Sequence, residues 1–256
     1  MSSLLAVISP AKSLDDKTHY PDLSCSQPEF INEADMLARK LAKVRQPAMA
    51  KLLGISKPLA ELNVRRYAEW SIPFDHKNAF PAIYIFRGDV YRGLESDTLR
   101  PADIQFADEN LRILSGLYGV LKPTDFVHPY RLMMGTPFAY SAKQKNLYKF
   151  WGSKVTESIA NKMDKNGVLI NLASEEYFGV IDPKILNRRI IHCEFREQKG
   201  DKFVIASTYA KLARGRMARF FIENAIVKPE ELKAFNVDRY AYNVSLSDDQ
   251  RYVFTR

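Results

Sequence analysis

Short runs that are apolar throughout, set between stretches of helical periodicity, constrain this chain more than any other feature. Leu4 to Ile8, Ala82 to Phe86, Ile113 with Leu114, and Val168 to Leu172 read as strands. From Pro28 the pattern changes: Phe30, Ile31, Ala34, Leu37, Ala38 and Leu41 recur at three and four, an amphipathic helical face. Pro47 opens a short helix that Gly54 ends, and Ser56 stands as N-cap of a second helix, Lys57 to Trp70. Pro101 to Leu111, Lys143 to Lys162 and Tyr209 to Asn224 continue the helical series. Ile190 to Phe195 and Phe203 to Ser207 read as a hairpin through Lys199-Gly200-Asp201, and Tyr240 to Val244 and Tyr252 to Thr255 as closing strands. Residues 16–28 are polar and proline-punctuated, a surface excursion. Interleaving of this kind, with no repeat and no low-complexity linker, predicts an α/β fold: a single domain over 1–256 with a mixed β-sheet and surrounding helices. Residues 28–72 are expected to form a helical lobe on it.

Several function classes drop out. No apolar run approaches the ~20 residues of a membrane-spanning helix, and the N-terminus lacks the basic region of a signal peptide. Cys25 and Cys193 are the only cysteines, without a C-x-x-C, so no disulfide framework or cysteine zinc site is indicated and a cytoplasmic location is expected. His19, His76, His128 and His192 are scattered, with no ligand spacing between them. Neither G-x-G-x-x-G nor a P-loop is present, and Ser115 lacks the G-x-S-x-G setting of a nucleophile elbow. No cofactor, no metal and no catalytic residue is assigned on these grounds.

Charge points towards a class of partner. Lys plus Arg number 38 against 30 for Asp plus Glu, a net +8. Such an excess favours polyanions, nucleic acid foremost, through long-range attraction and counterion release. The densest one-sign patch lies between Asp201 and Glu223, where Lys202, Lys211, Arg214, Arg216 and Arg219 meet no acidic residue. At about 100° per residue, Lys211, Arg214 and Arg219 share one helix side, with Ala213, Met217 and Phe220 opposite. That face is either solvated or one wall of a phosphate-lined groove.

Leu52 to Trp70 suggests a second contact. Two short helices joined by Gly54-Ile55-Ser56 resemble a helix–hairpin–helix element, which points free N–H groups at a backbone phosphate. Lys57 lies beside that spot, and Arg65 and Arg66 add charge. Ser56 stands where the usual hairpin has a second glycine, and the same segment also reads as an ordinary helix–turn–helix corner.

The stretch Arg112 to Gly135 leaves a strand at Ser115-Gly116 and Tyr118-Gly119 and enters a loop of proline, aromatic and basic residues. Other predicted strand ends are polar too: Lys12, Arg87 with Asp89, and Ser174 with Glu175. If these strands are neighbours their ends converge on one cleft, the usual site in open α/β sheets. Tyr91, Tyr118, Tyr130 and Tyr177 would offer stacking faces for bases there.

Six motifs in this order and spacing resemble the YaaA family of bacterial peroxide-stress-resistance proteins. They are S-P-A-K-S-L-D at 9–15, F-R-G-D-V-Y-x-G-L at 86–94, L-S-G-L-Y-G-V-L-K-P at 114–123, P-Y-R-L-x-M-G at 129–135, N-L-A-S-x-E-Y-F at 171–178 and Y-A-K-x-A-R-G-x-M-x-R-F at 209–220. The resemblance implies an α/β body unlike the common superfolds, with a positively charged cleft and a helix–hairpin–helix element. It also implies a cytoplasmic DNA-binding protein that limits iron-dependent damage during hydrogen peroxide stress. The element falls on Leu52 to Trp70, with Gly54, Ile55 and Ser56 as hairpin. Motif membership and charge place Lys12, Arg87, Arg131, Lys211, Arg214 and Arg216 in the cleft, and Tyr118 joins them as the central loop's functional group. The expected partner is DNA, gripped by its backbone by a monomer with no membrane contact. The alternative is an enzyme acting on a nucleotide, nucleic acid or other anionic substrate in the same cleft, motivated by Asp89, Ser115, Tyr118, Arg131 and Glu175. Iron sequestration has no visible ligand cluster behind it.

Overall fold

Leu4 to Ile8 carry only apolar side chains, and all five are buried in strand β1 (Ser2–Ile8), inside the main sheet. The computed structural model describes residues 2–256. After β1 come β2 (Ser13–Leu14) and the expected irregular segment, then α1 (Ile31–Leu41), α2 (Gln46–Leu53) and α3 (Lys57–Ala68). The chain continues through β3 (Phe80–Pro81), α4 (Ala82–Ile85), β4 (Phe86–Arg87), α5 (Asp89–Leu94) and α6 (Pro101–Asn110). A hairpin of β5 (Leu111–Ser115) and β6 (Gly119–Leu121) leads to β7 (Phe126–Val127), α7 (Leu147–Trp151), α8 (Lys154–Lys162) and the long β8 (Met163–Leu172). The remainder is α9 (Glu175–Phe178), α10 (Pro183–Leu186), β9 (Arg189–Lys199), β10 (Lys202–Val204), α11 (Ser207–Glu223), β11 (Ala241–Tyr242) and β12 (Arg251–Thr255).

The main sheet runs β11-β12-β9-β8-β1-β5-β6, with β10 as a hairpin on β9. The strands from β12 to β5 are parallel, and antiparallel β6 and β11 close the two edges. This is the expected α/β fold with a mixed sheet. Buried parallel strands need both faces covered, which explains why Leu4 to Ile8 of β1 and Val168 to Ile170 of β8 are apolar without alternation. A continuous apolar core extends from the sheet to Ala34, Leu37, Leu41, Met49, Leu53 and Tyr67 in α1 to α3. Polar ties reinforce it: Tyr67 Oη donates to the Arg131 carbonyl at 3.0 Å, and the His128 ring sits between the carbonyl oxygens of Asn78 and Arg66, 2.9 Å from each.

Two expected elements differ. Ala82 to Phe86 is not a strand of the sheet but one helical turn, α4, followed by the two-residue β4. All five residues are buried, and a short wholly apolar run has no periodicity to separate strand from helix. Tertiary contacts decide it, since the Ala82 and Ile83 N–H groups donate to the carbonyls of Asp125 and Pro123. The helix expected over 143–162 splits into α7 and α8 at Gly152, whose φ is +52°. Asn146 caps α7 by accepting from the Lys149 N–H at 2.9 Å.

One close crossing positions the functional side of the molecule. Gly215 lies mid-helix in α11, where an alanine would favour the helix by about 1 kcal/mol. A Cβ there would fall 1.8 Å from the Val90 carbonyl oxygen, and one on Gly93 would fall 2.3 Å from that of Leu212. Only glycine on both helices lets α11 lie directly on α5, which sets Lys211 and Arg214 near Asp89 at the start of α5.

Candidate functional site: a polar cavity at the strand ends

β1 and β8 are parallel neighbours, with Ile8 level with Leu172, so their carboxyl ends emerge side by side. From β1 the chain proceeds to β5 on one side, and from β8 to β9 on the other. The loops diverge and leave a crevice, as at the switch point of other open α/β sheets. Ser9 stitches the two ends together: its Oγ accepts from the Ser174 N–H at 2.9 Å and lies 3.3 Å from Ser174 Oγ. Tyr91 Oη donates to the Ser9 carbonyl at 3.2 Å, fixing α5 to the same point.

A cavity of about 570 Å³ opens here, walled by residues 9–13, 87–91 and 174–177 together with Ile205, Lys211 and Arg214. The convergence expected of Lys12, Arg87, Asp89, Ser174, Glu175, Lys211 and Arg214 is thus met by the geometry. The lining carries charge of both signs, with four basic residues (Lys12, Arg87, Lys211, Arg214) against three acidic ones (Asp89, Glu175, Glu176).

These charges differ in what they are free to do. Arg87 is engaged by Asp15 and Asp97, each at 3.4 Å, and donates to Thr18 Oγ1 at 2.9 Å. Asp89 pairs with Arg92 at 3.1 Å, and Glu176 accepts from the Gly135 N–H at 2.9 Å. The side chains of Lys12, Lys211 and Arg214 make neither a hydrogen bond nor an ion pair among the described residues. The Arg214 Nε is sealed from solvent without a partner. Burial pulls the Arg214 guanidinium below its ordinary pKa, against the attraction of Cys193, Glu175 and Glu194 nearby. A buried cation short of partners is costly unless an anion completes its shell.

Other expected site residues lie elsewhere. Tyr118 is fully buried, its Oη bonded to the His128 backbone and its ring packed against Trp70, Phe74 and Tyr130, so it offers no face to a base. Tyr91 and Tyr177 line the cavity but are themselves buried, Tyr130 is buried in the core, and Ser115 spends its hydroxyl on Tyr130 Oη at 2.7 Å. The Arg112–Gly135 stretch is therefore core rather than cavity floor. Arg131 is half-buried outside the lining, its Nε without a partner, and burial pulls its pKa down in reach of Tyr177.

Arg216 and Arg219 turn away from the cavity. Arg216 meets Glu95 at 2.8 Å and Asp238 at 3.8 Å; Arg219 meets Glu223 at 2.6 Å and Glu95 at 3.6 Å. The basic face of α11 is neutralised at that end by carboxylates mostly distant in sequence. Arg66 pairs with Asp16 at 3.1 Å, Arg65 and Lys57 are exposed, and Gly54 and Ser56 stand exposed at the α2–α3 corner with Ile55 half-buried between them. Ser9, Glu176 and Ile205 were missed from sequence, although Ser9 and Glu176 fall inside the quoted motifs.

Neither thiol is poised for chemistry. Burial pushes Cys25 up to about 11 and Cys193 up to about 12, where the reactive thiolate is scarce at neutral pH. Among the described residues no group of three or more His, Cys, Asp or Glu is arranged to hold a metal ion, and no helix is long and apolar enough to cross a membrane.

Fold and cavity together define an α/β protein with a mostly parallel sheet and a charged pocket at the strand carboxyl ends. The chain belongs to the family described as peroxide stress protein YaaA, whose model matches residues 4–246. It is 49% identical over 255 residues to a UPF0246 protein of Polynucleobacter necessarius subsp. necessarius, covering 99% of this chain and 98% of that one. Similar proteins of Ralstonia pickettii and Hahella chejuensis, also described as UPF0246 proteins, are 48% and 44% identical, each over 99% of both chains.

Proposed function

We propose that this peroxide stress protein binds the backbone of nucleic acid, DNA foremost, at the mouth of the β1–β8–α11 cavity. The observation that carries this reading is the convergence of Lys12, Lys211 and Arg214 on one opening, without ion-pair partners among the described residues. Cations so placed exchange the counterions of a phosphate backbone for fixed positive charge. Iron(II) held on DNA is one such counterion, so occupancy of the backbone limits iron-dependent damage by displacing the metal. Cysteine chemistry is disfavoured, because both thiols are held protonated.

A second contact extends the same surface. Asp15 and Asp16 link Arg87 of the lining to Arg66 of α3. From Arg66 the helix runs back nine residues to Lys57, roughly 14 Å at the rise of an α-helix. The Gly54-Ile55-Ser56 corner, exposed at Gly54 and Ser56, and the free N–H groups of the first α3 turn then act as the helix–hairpin–helix, supported by Lys57 and Arg65. Contacts of this kind position DNA without reading its sequence.

Titrating duplex DNA across salt concentrations tests the proposal. The log–log slope should fall by roughly one unit for each of Lys12→Gln and Lys211→Gln, and stay unchanged for Arg216→Gln. Salt-independent or undetectable binding by the unsubstituted protein refutes it. The enzymatic alternative is favoured by one observation: Asp89, Glu175 and Glu176 share the cavity with the cations, more acidic groups than backbone contact needs. Turnover of a nucleotide, abolished by Asp89→Ala, would establish that reading instead.

A further inference from the structure

Backbone tracking leaves part of the cavity unused. At about 570 Å³ it falls in the size range of small-molecule pockets, far too narrow for a duplex to enter. Arg214 lines it from α11 with a guanidinium that has no hydrogen bond or ion pair among the described residues, so an anion that enters the pocket meets an uncompensated charge. The planar guanidinium matches a phosphate in bidentate fashion, and the exposed Lys12 and Lys211 bring point charge to the same group. Two positive charges beyond the first suit a dianion better than the single charge of an internal phosphodiester. A phosphate monoester carries about −1.5 to −2 at neutral pH, with three acceptor oxygens.

Opposite chemistry lies close by. Ile205 lines the cavity and is 57% exposed, and Val204 next to it in the chain is 39% exposed. That apolar edge suits the flat face of a base. The Glu175 side chain makes no hydrogen bond among the described residues and lies within electrostatic reach of Arg214, placed to accept from a sugar hydroxyl or an exocyclic amine.

We infer that the cavity receives a nucleotide phosphate monoester, with Arg214 as anchor, Lys12 and Lys211 as flanking charges and Ile205 against the base. The group is presented alike by the phosphorylated end of a DNA strand and by a free nucleoside monophosphate. The strand-end form rests on the DNA-binding reading above; the free-nucleotide form does not.

Fluorescence anisotropy on the full chain separates these possibilities. One short single strand is prepared with a 5′-phosphate, with a 3′-phosphate and with hydroxyls at both ends, and deoxynucleoside monophosphate and the matching nucleoside serve as competitors. One phosphorylated form should bind roughly tenfold tighter than the hydroxyl form, an advantage lost in Arg214→Gln. The double variant Lys12→Gln/Lys211→Gln, altered only at exposed positions, should lose it too even if Arg214→Gln fails to fold. The monophosphate should compete and the nucleoside should not. Equal affinity for all three strands, with no competition by the monophosphate, overturns the inference and leaves backbone binding standing. Monophosphate binding without binding of any strand supports the pocket and overturns the DNA reading. Absence of all binding overturns both.

Discussion

Gly215 shows how much one residue can carry in this molecule. A Cβ 1.8 Å from the Val90 carbonyl oxygen cannot be accommodated without separating α11 from α5. Gly215→Ala should therefore cost about 3 kcal/mol in urea unfolding, although alanine is the better helix former. Unchanged stability would mean that the crossing is not tight. Asp125 carries a second prediction. Burial pushes its carboxyl up to about 6, against the hydrogen bonds from Ser26 and the Lys122 N–H and the Lys122 charge, with Asp108 adding to the rise. The folded carboxyl thus holds its proton more tightly than the unfolded one, near 3.9. Its stabilising contribution is complete below about pH 4, falls as pH rises to about 6 and is then flat, a loss of at most about 3 kcal/mol. Asp125→Asn should lack that loss, so stability curves of the two proteins should converge or cross between about pH 4 and about pH 6; parallel curves would contradict the burial of the charge.

The α2–α3 corner and α11 show where periodicity suffices and where it does not. Both helices of the corner lie where proline, glycine and apolar spacing put them, and Gly54 ends α2 in the left-handed region at φ +61°. Ser56 occupies the N-cap position but its side chain makes no capping bond. Ser56→Ala should consequently change thermal stability by less than about 0.5 kcal/mol, below the usual cost of a lost cap, whereas Gly54→Ala should cost about 1 kcal/mol through its backbone conformation. The reverse ranking would show that Ser56 caps α3 in solution. In α11 the helical wheel grouped Lys211, Arg214 and Arg219, but Glu95 and Glu223 hold Arg219 while the other two face the cavity. A wheel shows which residues share a side and not what packs against it.

Taken whole, the core runs from the sheet into α1 to α3 without a break, and Lys154 reaches across to Glu33 at 2.7 Å. The helical segment 28–72 should then unfold with the body, in one transition that far-ultraviolet and tryptophan signals report at the same denaturant concentration. Separate melting of the Trp70 environment would identify an independent lobe.

By itself the sequence determined the alternation of strands and helices, the mixed sheet, the family and the position of Lys12 and Glu175 just beyond buried strands of the sheet. These follow from local patterns and from motifs that each lie within one short stretch. Tertiary structure alone decided that Ala82 to Phe86 leaves the sheet, that Tyr118 is core, and that Arg216 and Arg219 are neutralised while Lys12, Lys211 and Arg214 are not. The physical reason is shared: burial and charge pairing are set by neighbours far away in the chain, such as Glu95 on Arg216 or Asp125 on Ala82, and no local pattern encodes which neighbour arrives.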